Sequence, residues 1–583
     1  MTPPTDNDKI LALRRELTAQ RRRILDLPAD KAMAQVLEHP QPAALVHSFP
    51  EEDFYFLIQD IGPDDALPLI ALGSGRQLEY VLDQQVWNRD RLDLGALFMW
   101  LERIVAADPA RMVRWLAGQK ADLVEYYLFN TIEIRLREHD QDPTDFGPGF
   151  NSFDNTFYFR IVDLPTAEPL GEDRQKKHHK LVQRILEGLA EDDHVHYQRV
   201  MLSALNVLPA ETEEEAYRLR NVRLAEKGFL PFEEAVGLYQ PLSYERFQQT
   251  AACFQIPSAD EFTPLPMVPL DLAAGEELFH QAWQAVPPGE VLDRIQSEFA
   301  ALGNRLCVAD RLKPTSREDL SAVVQKACGY LSIGLERLNP DPPLVTHAAR
   351  NLQLFTLEGL FRLGYSQAAQ LKQTAEDWVA ASWFARSGLP LTFWGEDGLG
   401  LLGGLLLKRP LFFDRFDTGH RYREFARLDD IHATGRRLAQ IQALDGLLAH
   451  LSIELPLPRR FGHLTYKNVL LTLWARSELG LPEILHPIAL DRFMDFWEGL
   501  FETPAGGTGR RRITPASRPA CLQWLGRRTN RDGDELADTV GPQITALFTE
   551  LADEYEKVSA EEIDPRFIHH FLLTPNQTAA GTP

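Results

Sequence analysis

Leu27-Pro28-Ala29-Asp30, Phe49-Pro50-Glu51-Glu52, Gly62-Pro63-Asp64-Asp65 and Asp108-Pro109-Ala110-Arg111 are four versions of one phrase near the start of the chain. Each sets a loop residue and a proline before one or two acids; the last exchanges its acid for arginine. Proline suits a first helical turn, where its missing N–H would have had no partner. Acids just after it meet the positive end of the helix dipole. Apolar residues follow at helical spacing: Phe54 with Leu57 and Ile58, Leu67 with Ile70, Val113 with Leu116. Pro42 opens a weaker fifth copy, with Val46 and Phe49. The phrase predicts an array of short helices that are marginal alone and must bury their stripes against neighbours. The interval between copies runs from 8 to 46 positions, so the array is degenerate and has no fixed period.

Outward from this array the periodicity predicts a mainly α protein. A charged amphipathic helix is expected over 8–26, with Ile10, Leu13, Leu17 and Ile24 on one stripe and Arg21, Arg22 and Arg23 beside it. A longer apolar helix is expected over 92–107. From Thr131 the period changes to two: Ile132, Ile134 and Leu136 alternate with Glu133, Arg135 and Arg137, and 156–162 is aromatic and β-branched. A small β-hairpin is the reading, against a helix running through 120–137. Helices resume over 174–190, 194–207 and 211–227, the last stopped by Gly228. Leu230-Pro231-Phe232-Glu233-Glu234-Ala235 repeats the opening phrase.

The expected organisation is a short-helix superhelical region over 1–130 and an α+β segment over 131–256. A proline-rich linker over 257–271 follows, then a helical domain over 272–503 and an arginine-rich loop with closing helices over 504–583.

The 583 residues exceed what one hydrophobic core supports, so several domains are expected. Lys and Arg number 61 against 84 Asp and Glu, a net charge of −23. That balance argues against general nucleic-acid binding and against docking on an anionic membrane. Cys253, Cys307, Cys328 and Cys521 are scattered, as free thiols in a reducing compartment would be. Residues 1–9 lack the apolar core of a signal peptide, and the most apolar run, 399–407, is under half a membrane span. A cytoplasmic protein is expected.

The proline–acid phrase with its apolar stripe resembles the N-terminal intracellular domain of MgtE-type magnesium transporters over about 27–130, with an echo at 230–240. That resemblance implies a right-handed superhelix of short helices and a regulatory or scaffolding surface. It carries over no magnesium site, since no ligand residue matches position by position, and the membrane-embedded part is missing. The blocks 223–229, 231–235 and 407–413 resemble a family of uncharacterised bacterial proteins of about this length, which implies no assigned activity.

Motifs that carry chemistry are scarce. No P-loop, GxSxG elbow, HExxH helix, EF-hand loop or cysteine-based zinc pattern occurs. His178, His179, His194 and His196, with Asp192 and Asp193, could ligate zinc or nickel, but Lys176, Lys177 and Lys180 would repel a cation. The bland reading makes His178 and His179 part of a polar helix start. Gly398, Gly400 and Gly403 match GxGxxG, yet Glu396 and Asp397 stand where a phosphate would approach, so a closely packed buried helix is the better reading. Trp378, Trp383, Phe384, Phe393 and Trp394 read as core, with an aromatic ligand groove as the rival. No cofactor, metal or catalytic residue is assigned.

The candidate partner-binding residues are Arg510, Arg511, Arg512, Arg518, Arg527 and Arg528, which could grip an acidic partner or neutralise the chain's own acids. The leading functional expectation is a non-catalytic scaffold or adapter for an unidentified protein partner. A ligand- or divalent-ion-responsive regulator and an enzyme of unrecognised type are the alternatives.

Overall fold

The computed structural model describes residues 16–574 except 18, 89, 112–114, 116–121, 139–140, 167–170, 207–208, 251–271, 274, 452, 455–463, 503–510 and 559–561. The Val113–Leu116 pair, Cys253, the 257–271 linker and Arg510 lie outside the described residues. The chain forms two compact units, residues 1–362 and 363–583. Both are mainly α-helical, and the strands described occur only in two-stranded pairs. No helix among the described residues is long and apolar enough to cross a membrane.

After a helical stretch over 19–25, the first unit continues with α1 (Ala29–Leu37), α2 (Pro42–His47), α3 (Glu51–Ile61), α4 (Leu67–Leu72), α5 (Gly75–Gln85) and α6 (Leu94–Ala107). Each packs on the next but one: α1 on α3, α2 on α4, α3 on α5 and α4 on α6. Helices this short gain little from their own hydrogen bonds, so alternate stacking supplies the burial that holds them. In α3, Phe54, Leu57 and Ile58 are at most 2% exposed, each contributing about 1.5–3 kcal/mol of transfer free energy.

The phrase works somewhat differently from its sequence reading. Pro28 and Pro50 are N-cap residues, with φ −54° and −51° and extended ψ, so each stands just before the helix. Their carbonyls accept the first helical bonds, from the amides of Ala32 and Phe54. A proline ring fixes the φ this position needs. After Pro63 the acids occupy a turn, and the helix starts only at Leu67. The acid-to-arginine exchange in the fourth copy also has a structural reason. Arg111 donates to the carbonyls of Gly73 at 2.8 Å and Ala71 at 3.1 Å, satisfying the open C-terminal end of α4. An acid there would face those oxygens. Arg21, expected beside the apolar stripe of its helix, is instead 4% exposed and donates to the carbonyl of Ser48.

Beyond the array come α7 (Asp122–Thr131) and the hairpin, β1 (Ile132–Leu136) antiparallel to β2 (Phe157–Ile161), in the register Ile132 to Ile161 and Leu136 to Phe157. Both alternatives for 120–137 hold in part, since a helix runs to Thr131 and the strand begins at the next residue. Then follow α8 (Glu172–Asp192), α9 (His194–Asn206) and α10 (Pro209–Glu226). The last is tied to the array by charge: Arg223 grips Asp83 with bonds of 2.8 and 2.9 Å, and Lys227 reaches Glu51 at 2.6 Å. Helices α11 (Leu278–Gln284), α12 (Glu290–Asp310), α13 (Arg317–Arg337) and α14 (Val345–Leu354) form a further packed group.

The second unit contains α15 (Gly395–Leu405), α16 (Leu428–His450), α17 (Tyr466–Glu478), β3 (Ile488–Ala489), α18 (Leu490–Leu500), β4 (Phe501–Glu502), β5 (Arg512–Ile513), α19 (Ser517–Thr529), α20 (Gly541–Tyr555) and β6 (Leu573–Thr574). The GxGxxG stretch is α15 itself. A Cβ at Gly400 would run into the Phe413 ring, and one at Gly404 would lie 2.7 Å from the Leu411 carbonyl oxygen. Glycine there allows close packing. Helix α17 is buried continuously from Asn468 to Arg476, with α18 and α19 packed on it.

Candidate functional site

A cleft of about 410 Å³ opens in the second unit, within the size range of ligand sites. The C-terminal end of α17 supplies Trp474, Glu478 and Leu479, and α18 supplies Asp495, Phe496, Gly499 and Leu500. The third wall is Thr514 and Ala516 after β5, with Ser517 and Ala520 from the start of α19. Large rings form the floor and small residues leave the space. A Cβ at Gly499 would touch nothing within 4 Å, and two of the remaining wall residues are alanines.

The floor is rigid. Trp474 meets Phe496 edge to face, with centroids 5.1 Å apart and planes at 87°. Phe496 is backed by Phe571, at 5.8 Å, and Phe571 also packs on Phe493 at 4.9 Å. Phe571 belongs to a C-terminal strap over 562–574. The strap is fastened by the parallel pairing of β6 with β3 and by the Leu572 amide, which donates to the Thr472 hydroxyl at 2.9 Å.

The polar side chains of the cleft present acceptors. Trp474 donates its indole N–H to Glu478 Oε1 at 3.2 Å, which orients that carboxylate and leaves Oε2 unused. Asp495 is exposed on α18. Thr514 Oγ1 donates to the Gly499 carbonyl at 3.3 Å and lies 2.5 Å from Ser517 Oγ, so Ser517 donates to Thr514 and keeps its lone pairs. Glu478 and Asp495 are the charged residues lining the cleft, and neither has an ion-pair partner among the described residues. Cys521, on the buried face of α19 and 2% exposed, is pushed up by burial, with the Glu478 charge adding. It stays a protonated thiol, which is a poor nucleophile.

A connected set of titratable groups lies elsewhere in the unit. Tyr555 donates to His570 Nδ1 at 2.9 Å, His570 Nε2 faces Glu550 at 3.0 Å, and Lys467 pairs with the same carboxylate. The hydrogen bond from His570, joined by that of Lys467, holds Glu550 down at about 2 against partial burial. Burial pushes Tyr555 up to about 12. With Tyr555 2% and His570 8% exposed, the Tyr–His end is closed to a substrate, and the chain of groups fastens the strap.

The arginines predicted to bind a partner do not form one cluster. Arg511 and Arg512 lie at β5, where Arg512 pairs across the strands with Glu502. Arg518 is exposed in the first turn of α19, and Arg527 and Arg528 are exposed in its last. Arg528 pairs with Glu483 at 3.0 Å, an intramolecular use. The histidines separate as well. His178 lies well inside α8, which begins at Glu172, and both its ring nitrogens are used within the fold: Nδ1 by Tyr127 at 2.7 Å and Nε2 by the Val162 carbonyl at 3.0 Å. His179 lies 3.4 Å from Asp163, and His196 contacts Arg199. No group of three or more metal-ligating side chains occurs among the described residues. In the aromatic group, Phe384, Phe393 and Trp394 are buried, and Asp445 accepts bonds from the Trp378 indole and the amides of Trp383 and Phe384.

Sequence reading missed the cleft. The available signal was small residues, Gly499, Ala516 and Ala520, facing Trp474 and Phe496, but their facing is a tertiary fact.

No curated protein and no solved structure matches the chain. Residues 9–574, nearly the whole length, match one described family, and the chain belongs to that family of unknown function, DUF6178.

Proposed function

We propose that the chain is a non-catalytic scaffold or adapter that holds a protein partner, with the cleft of the second unit as the place where a partner segment enters. The observation that carries this reading is the cleft: a rigid aromatic floor, walls of small residues and a carboxylate rim open to solvent. A buried aromatic pocket with a polar rim is how protein interfaces anchor a side chain. The alternate stacking of α1–α6 supports a superhelical scaffold of the MgtE-like kind. Exposed Arg512, Arg518 and Arg527, on the elements forming the third wall, extend the binding surface. The free, buried thiols of Cys307, Cys328 and Cys521 support a reducing, cytoplasmic setting.

A photo-crosslinking residue at Ala520 tests the reading in lysate of the native host. One partner is expected to crosslink there and not from Val195, an exposed control position in the first unit. Ala520→Trp, which fills the cleft, should abolish its capture from a second exposed position. Equal capture at both positions, or none at Ala520, overturns the proposal.

A further inference from the structure

We infer that the cleft of the second unit recognises an arginine side chain on an apolar stretch of the partner protein. The inference rests on the adapter reading and names the chemistry of its partner.

Three features converge on a guanidinium. The first is charge: the charged residues lining the cleft are both carboxylates, and neither is ion-paired among the described residues. A carboxylate next to aromatic surface gains little from water on that side, and a cation restores the lost interaction. The second is hydrogen-bond sense. Glu478 Oε2, the Asp495 carboxylate and the Ser517 lone pairs are all acceptors. A guanidinium carries five donors and no acceptor, in a planar fork that matches carboxylates. The third is the floor. Trp474 and Phe496, 2% and 7% exposed, give it an apolar backing, against which the methylene stem of an arginine packs better than a compact, strongly hydrated ammonium. At about 410 Å³ the cleft holds more than one side chain, so an apolar neighbour of the arginine fits beside Leu479 and Leu500.

The geometry also sets the division of labour. The indole of Trp474 fixes Glu478, so this carboxylate is oriented before any ligand arrives, which lowers the entropic cost of binding. Both acids are exposed, and Asp495, on the facing helix, adds a second charge at the entrance.

The test uses the full chain and a random dodecapeptide display library as the probe. Peptides whose binding is blocked by Ala520→Trp are taken forward as synthetic peptides. They are measured by fluorescence polarisation with each arginine exchanged for citrulline, the neutral isostere, or for lysine. The double variant Glu478→Gln with Asp495→Asn is measured beside the parent, and thermal melting checks its fold. Glutamine at 478 still accepts from the Trp474 indole, so the floor is preserved. The expected result is enrichment of arginine beside apolar residues. Citrulline exchange and the double variant should each weaken binding at least tenfold, about 1.4 kcal/mol, with lysine intermediate. Cleft-binding peptides without arginine, or losses below tenfold, overturn the inference and leave the adapter reading standing. If Ala520→Trp blocks no peptide at all, both fail.

Discussion

Each unit contains a buried tyrosine that donates to a histidine Nδ1, and the two pairs differ in where the other nitrogen goes. In the first unit Tyr127 and His178 meet edge to face with centroids 5.7 Å apart, and Nε2 faces the Val162 carbonyl. In the second, Tyr555 and His570 meet at 5.5 Å in nearly the same geometry, and Nε2 faces the Glu550 carboxylate. A carbonyl can only accept, so His178 keeps its proton on Nε2, and burial holds its pKa below the usual histidine value. It is a neutral strut joining α7, α8 and the end of the hairpin. His570 instead donates to an ionised acid that also binds Lys467, and so pins the C-terminal strap.

The same contrast holds for the Glu–Lys pairs. Burial pushes Glu52 up despite Lys227, whereas donors hold Glu550 down. One unit seals its charges inside helix junctions, and the other uses them to fasten a segment backing the cleft. Residue pairing alone does not set the behaviour of a carboxylate; the water and donors left to it do.

The largest test of this contrast is Lys227→Met. It strands Glu51 and the buried Glu52, and should cost about 3–5 kcal/mol, because removing one partner leaves an uncompensated buried charge. Hydrogen–deuterium exchange over α3 reads it; unchanged protection would dissolve the contrast. Next, Tyr127→Phe leaves His178 Nδ1 without its donor in the core and should cost about 1–3 kcal/mol, measured by urea unfolding of the first unit.

The pH dependence should have opposite signs in the two units. Glu550 is held at about 2 against an ordinary 4.5, so its contribution is complete above pH 4.5 and is lost as pH falls towards 2. Glu52 is raised above 4.5, so its contribution is complete below that value and is lost as pH rises through its folded-state pKa. In exchange measurements corrected for intrinsic rate, Glu550→Gln should flatten the acid-side loss of protection in the strap. Glu52→Gln should raise protection of α3 at neutral pH, and parallel responses would contradict the assignment. Smallest is Lys467→Met, at about 0–1 kcal/mol. Glu550 is 43% exposed and keeps His570, so the loss is that of a partly solvated pair. A loss as large as that of Lys227→Met would put both pairs in one class.

Much of the fold could be read from local pattern. The proline–acid phrase marks helix starts at Ala29, Glu51 and Phe232, and the period-two run from Ile132 marks its strand. Such signals depend on neighbours a few positions away, where backbone sterics and dipoles act. The candidate site was not legible in the same way. Its walls come from positions as far apart as Trp474 and Ala520, and the strap behind it returns from Phe571. The arginine stretch stood out by composition, yet charge along the chain does not say which side chains share a surface.

The sequence by itself determined the class of the molecule: helical, acidic, and opening with short helices that need neighbours. Alternating polarity and helix-end chemistry are properties of contiguous residues, so they survive without a fold. Only the tertiary structure decided that His178 is a neutral strut and that Glu550 stays ionised. It alone decided, too, that Trp474, Phe496 and two acids with no ion-pair partner among the described residues enclose a cleft. Burial, donor count and enclosure depend on residues distant in sequence, and those distances are fixed only when the helices pack.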